Sequence, residues 1–155
     1  MSDSAGPNAK VLFRVPEEDG SAQVETLCAF DLGNNEYRLD NSPFYAYSVS
    51  WQDVVYAPFD TDEERPTFKR VVSKSGNRTV RVILDPPAKS GNSSDRVLQG
   101  LVALGCSYEG ANSAHISVNI PPDVELEAVR KYLIESQAKW EHADPMHSEL
   151  FPGDA

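Results

Sequence analysis

The chain has 155 residues, 40% of them hydrophobic and 25% charged, with a formal net charge of −10. That composition fits one folded domain, or two small ones sharing an interface, and excludes a disordered chain. No apolar run approaches the roughly 20 residues of a membrane helix, and the acidic balance argues against general binding to nucleic acid or a membrane surface, which needs clustered Lys and Arg.

The same charge suits solubility, or docking on a basic protein partner. Met1 to Pro7 has neither the basic start nor the apolar core of an export signal. Cys28 and Cys106 stand far apart without paired spacing. The sequence therefore predicts reduced thiols and a cytoplasmic protein.

In chain order, residues 1–9 are small and polar and predict a disordered N-terminus. Lys10 to Val15 reads as a strand. Ala22 to Leu32 and Glu36 to Leu39 read as a hairpin around Gly33-Asn34-Asn35. Asp40 to Pro43 is a loop, and the aromatic and β-branched runs Phe44 to Val49 and Asp53 to Ala57 predict half-buried strands. Thr67 to Lys74 and Arg78 to Leu84 flank Ser75-Gly76-Asn77, a second hairpin signal. Helical periodicity begins only after Pro86-Pro87. Val97, Leu98, Leu101 and Leu104 form an apolar stripe, with Ser93 or Ser94 as the cap and Gly105 at the C-terminal stop. Cys106 to Tyr108 and Ala114 to Ile120 predict antiparallel strands. Asp123 then caps a helix that carries Leu126, Val129 and Leu133 on one face, and Lys139 to His142 supplies a last short strand.

This order predicts an α+β fold. A small β-barrel or bent sheet of SH3-like kind (residues 10–77) is followed by a ferredoxin-like βαββαβ unit (78–143) and a flexible tail (144–155).

Chemistry is sparse. From Arg65 to Leu84 lie six basic residues and no acid. Lys69, Arg70, Lys74 and Arg78 would crowd the second hairpin, whose turn amides can face an anion. The alternative is pairing with the chain's own surplus acids. A hairpin centred between Gly110 and Ala111 would set Cys106 across from His115, a thiol–imidazole pair, though a one-residue slip separates them. The alternative is a buried thiol and an unrelated histidine. His142 and His147 flank Asp144 without ligand spacing and read as a solvated tail, not a metal site. Phe44, Tyr45, Tyr47, Trp51 and Tyr56 form either a barrel core, with Tyr45 and Tyr47 inside together, or a stacking surface.

The runs Asp40-Asn41-Ser42-Pro43-Phe44-Tyr45-Ala46, Val49-Ser50-Trp51-Gln52-Asp53-Val54-Val55 and Ser75-Gly76-Asn77-Arg78-Thr79-Val80-Arg81 resemble an uncharacterised bacterial domain-of-unknown-function family, number 4265. The resemblance spans about Lys10 to Trp140 and implies a bacterial cytosolic protein in two parts, with no activity attached. One departure stands out: Gln52 occupies a place where the pattern has glycine, which puts a tight turn there in doubt.

Three functions fit these signals. The first is a non-enzymatic protein-binding module, immunity- or regulator-like, for a basic partner. The second is a small-ligand binder or hydrolase-type enzyme using the cleft between the halves, with Asp40, Asn41, Asp53, Asn77, Thr79 and Arg81 as its residues. The third is nucleic-acid binding through the basic hairpin, disfavoured by the lack of sheet aromatics in Thr79 to Leu84. No motif calls for a metal or a cofactor.

Overall fold

The structure, a computed structural model, describes residues 6–17 and 19–153. The first strands are β1 (Ala9–Pro16), β2 (Ala22–Gly33), β3 (Glu36–Leu39), β4 (Val54–Tyr56), β5 (Phe59–Asp60), β6 (Arg65–Pro66) and β7 (Arg70–Ser73). Then come β8 (Arg78–Ile83), α1 (Ser93–Ala103), β9 (Ser107–Gly110), β10 (His115–Ile120), α2 (Leu126–Glu135), β11 (Lys139–Asp144) and α3 (His147–Leu150). No helix among the described residues is long and apolar enough to cross a membrane.

The expected fold class is overturned. In place of an α+β chain made of an SH3-like barrel and a ferredoxin-like βαββαβ unit, the structure is mostly sheet, with 40% strand, 17% helix and three short helices among the described residues. Its sheets are antiparallel, in the orders β1-β2-β3-β4-β7, β11-β8-β10-β9 and β5-β6. The first runs as a meander in that order, with one parallel bridge from Leu12 of β1 to Thr67. The helices cover one side of the second, and residues 40–53, the link from β3 to β4, cover Thr79, Arg81, Ser117 and Asn119 on the other.

Local chemistry explains the elements that match expectation. Asn34 and Asn35 take φ of 55° and 63° between β2 and β3, the left-handed pair a tight hairpin needs. Gly105 closes α1 at φ 108°, as a C-terminal glycine does. The N-cap of α1 is Asn92, whose side chain accepts from Asp95 N, not Ser93 or Ser94. Glu125, not Asp123, caps α2 and makes no side-chain bond.

Two expected elements fail. Phe44 to Val49 form no strand. The hairpin around Ser75-Gly76-Asn77 does not exist either, because β7 pairs with β4 while β8 lies between β10 and β11. The turn at Gln52 does form. Asp53 N donates to Ser50 O (3.1 Å), and Gln52 itself takes φ 71°.

Of the predicted N-terminal disorder, residues 1–5 lie outside the described residues, and Ala9 already begins β1. In the segment read as a tail, Asp144 is buried in β11 and α3 follows, while residues 154–155 lie outside the described residues.

There are two cores. One lies between the second sheet and its helices, where Val80, Val82, Val118 and Ile120 meet Leu101, Val129 and Leu133. The other gathers Val11, Leu27, Leu39, Val49 and Val55 inside the first sheet.

Candidate functional site

Period-two alternation sends Thr79 and Arg81 of β8, with Ser117 and Asn119 of β10, to the side of the second sheet away from the helices. All four are buried. They are covered by residues 40–53, a strap gripped from both sides.

From the first sheet Glu25, on the same face of β2 as Leu27 and Ala29, accepts three successive strap amides: Phe44 N (2.6 Å), Tyr45 N (3.1 Å) and Ala46 N (3.0 Å). From the second sheet Arg81 Nη1 donates to Ala46 O (2.7 Å) and Pro43 O (3.4 Å), and Ser117 Oγ donates to Pro43 O (2.7 Å). A carboxylate thus takes the strap's N–H groups while a guanidinium takes its carbonyls. Such charge-assisted bonds are stronger than neutral ones. At the strap's start, Glu109 of β9 accepts from Ser42 N (2.8 Å) and Asn41 Nδ2 (3.3 Å).

The strap's far end is fixed by an ionic cluster of two buried carboxylates and a half-exposed lysine. Lys74 Nζ lies 2.6 Å from both Asp53 Oδ2 and Asp144 Oδ2. Ser50 Oγ donates to Asp144 Oδ2 (2.6 Å) and lies 2.7 Å from Thr79 Oγ1. Burial works against the charged form of Lys74, but hydrogen bonds to Asp144 and Asp53, and their charge, outweigh it and raise its pKa. The lysine therefore stays protonated, and the fully buried Ser50 hydroxyl is committed to a carboxylate. The cluster has a lysine and a serine, yet it has neither a free base nor an accessible nucleophile. It is a clamp.

Beside the strap opens a groove of about 390 Å³ between the two sheets. Arg81, Ile83 and His115 contribute from the second sheet, and Val15 to Glu17 from the end of β1. Phe44, Tyr45 and Tyr47 of the strap and Lys139 to Glu141 of β11 complete it. His115 meets Tyr45 and Phe44 edge-on, with ring centroids at 5.2 and 5.8 Å. Tyr47 lies over the Arg81 guanidinium, 4.5 Å from Cζ to ring centroid, and its hydroxyl donates to Glu141 Oε1 (2.8 Å). Burial first, then the bond to Glu141 and its charge, raise the Tyr47 pKa against the opposing Arg81. Its phenol is a stable donor. The other oxygen of Glu141 accepts from Arg81 Nε (2.9 Å).

The residues picked out in the sequence are divided by the fold. Asp53 and Thr79 join the ionic cluster. Asn77 donates to Trp51 O and accepts from Asn119. Asn41 braces the strap, and Asp40 accepts weakly from Trp51 Nε1 at 3.4 Å. Arg81 alone of the six lines the groove.

The basic run is also divided. Lys74 turns to its carboxylates, and Arg78 donates to Pro121 O and Val124 O. Arg70 stacks on Tyr56 at 4.8 Å, and Lys69 is exposed.

The aromatic stretch is not a shared core, for Tyr45 and Tyr47 are 37% and 38% exposed at the groove. Cys106 and His115 are not partners. Gly110 pairs with Ile116, so the register carries Cys106 toward the other end of β10, and burial pushes its thiol up to about 11. His142 is buried rather than solvated, 5.6 Å from His147 between ring centroids. No cluster of three or more His, Cys, Asp or Glu suited to a metal occurs among the described residues.

Sequence reasoning missed Glu25, Glu109, Ser50 and Glu141. Only Glu25 left a signal: it shares the parity of Leu27 and Ala29, a carboxylate in step with an apolar face.

Residues 25–143 match the family model described as a domain of unknown function, DUF4265. Among solved structures the fold is similar to one described as a hypothetical protein from Neisseria gonorrhoeae. The TM-score is 0.75 at 14% identity, over 88% of this chain and 94% of that one. No curated protein matches.

Proposed function

The chain belongs to the DUF4265 family, and on that premise we propose that it is a non-enzymatic binding module whose small-molecule ligand seats in the aromatic groove between its two sheets. The observation that carries this reading is the groove's construction. Phe44, Tyr45, Tyr47 and His115 supply ring surfaces around a buried arginine, in a volume of about 390 Å³. Small-ligand sites combine apolar and aromatic walls with a few fixed polar groups in this way, at about 300–1,000 Å³. The strap that carries three of the rings is held by Glu25 and Arg81, which favours a preformed site over one assembled on binding.

The test is NMR titration with ring-bearing small molecules, following the Tyr45 and His115 ring signals. Saturable shifts at both are expected. Ile83→Trp, at a groove position already 42% exposed, should fill the space and abolish them while the fold persists. Shifts that survive this substitution, or none with any ring compound, would sink the reading.

A second reading, docking on a basic protein, is supported by the net charge of −10 and by exposed acids such as Asp62 and Glu64. It predicts a salt-sensitive partner in low-salt pull-downs that Ile83→Trp still recovers.

A further inference from the structure

The groove's ligand can be narrowed through the bonding of Arg81, an inference that rests on the binding-module reading above. A guanidinium offers five N–H donors, and its Nε and Nη2 form one edge that matches the two oxygens of a carboxylate. In this protein that edge is half filled. Glu141 Oε2 occupies Nε at 2.9 Å, but Oε1 is engaged by the Tyr47 hydroxyl, and Arg81 Nη2 is buried with no hydrogen-bond partner. Nη1 is engaged elsewhere, by the strap carbonyls of Ala46 and Pro43. The guanidinium is therefore positioned by the fold, 97% withdrawn from solvent at a side-chain exposure of 3%, with one donor group left over. Its counterion is the more replaceable partner, since the Glu141 side chain is 47% exposed.

We propose that the ligand is an aryl carboxylate. Its carboxylate takes both Nε and Nη2 of Arg81, displacing Glu141, and its ring lies among Phe44, Tyr45 and His115. Tyr47 is the cover of this site: its ring sits over the guanidinium and its hydroxyl is tied to the carboxylate that the ligand replaces. Release of Glu141 from Arg81 and withdrawal of Tyr47 are one event, because both pass through the same Glu141 side chain. A neutral ring compound fills the groove without reaching this pair, and a second carboxylate beside Glu141 is repelled until Glu141 leaves.

The test uses calorimetry on the full chain with naphthoate and its neutral isostere naphthamide. The wild-type protein should bind naphthoate at least roughly tenfold more tightly than naphthamide, as a bidentate charge-assisted contact requires. Glu141→Gln removes the competing charge at an exposed position. It should tighten naphthoate several-fold relative to naphthamide. Arg81→Lys, checked for folding by circular dichroism, should erase the preference because an ammonium cannot present the fork. Equal binding of the two probes, or weaker naphthoate binding in Glu141→Gln, overturns the carboxylate assignment and leaves the groove intact. Failure of both probes to bind overturns the groove reading with it.

Discussion

The two faces of the four-stranded sheet are built on different principles from the same strands. Toward the helices, Val80, Val82, Val118 and Ile120 are fully buried against Leu101, Val129 and Leu133, and contacts of that kind are non-directional. Toward the strap, the alternating residues Thr79, Arg81, Ser117 and Asn119 are just as buried, at 0–3% exposure, yet each makes a directed hydrogen bond. An apolar face tolerates many fillings of similar volume. A satisfied polar face fixes a single arrangement, and a half-satisfied one is costly. The apolar face supplies stability, and the polar face fixes the strap and therefore the groove.

Substitutions on each face can break this division. Leu133→Ala empties a fully buried position on the helix side and should cost about 4 kcal/mol in urea unfolding. The groove should still bind in the fraction that stays folded. Glu25→Ala removes the acceptor of three strap amides and should cost about 3 kcal/mol, since buried donors lose their partner. Here groove binding should vanish as well. Hydrogen exchange separates the two outcomes: the Phe44, Tyr45 and Ala46 amides should exchange locally in Glu25→Ala, and only with global unfolding in Leu133→Ala. Local exchange at those amides in Leu133→Ala would mean that the faces are not separable.

The helix face was legible in the sequence because its information is local. Val97, Leu98 and Leu101 repeat at helical spacing, and Gly105 and the Gly33-Asn34-Asn35 turn carry their own backbone requirements. The strap face was not, because polar alternation in β8 and β10 reads as a solvent side until something covers it. What covers it is Phe44 to Val49, whose aromatic and β-branched content argued for a strand. Glu25 and Arg81 bond its amides and carbonyls instead, overriding that propensity. Ser75-Gly76-Asn77 shows the same limit. A turn signal is identical whether the chain returns to its own sheet or crosses to another, and the choice lies with β4, which pairs with β7 from a distance. Arg81 was legible as a candidate. Tyr47 was legible as part of the aromatic stretch, and Glu141, which bonds both from the far end of the chain, was not.

The helix face carries one titrating group through which acid should act on stability. His142 stands opposite Val80 and so shares its face. Burial lowers its pKa below the ordinary 6.5, His147 and Arg130 lower it further, and Glu127 opposes them in part. The folded protein therefore keeps His142 neutral where the unfolded chain takes up a proton. Stability is complete above about pH 6.5 and falls as the pH drops through and below it, by no more than about 1.4 kcal/mol per pH unit from this residue. His142→Phe should flatten that part of the urea-midpoint profile between about pH 6.5 and the lowered pKa. An unchanged profile would show that the imidazole is protonated equally in both states.

The smallest effect is expected where the sequence clustered its charge most visibly. Lys74 and Arg78 are bonded within the fold, one to Asp53 and Asp144 and the other to the Pro121 and Val124 carbonyls. Lys69 and Arg70 are exposed, and the Arg70 contact with the Tyr56 ring lies at the surface, where such stacking is worth about 0.5 kcal/mol. Lys69→Ala with Arg70→Ala should therefore shift the urea midpoint by about 0.5 kcal/mol or less and leave groove binding unchanged. A loss above about 1 kcal/mol would place these two residues in the fixed polar architecture with Lys74. These four residues would then be a single structural unit, where their bonding divides them into two anchors and two solvated side chains.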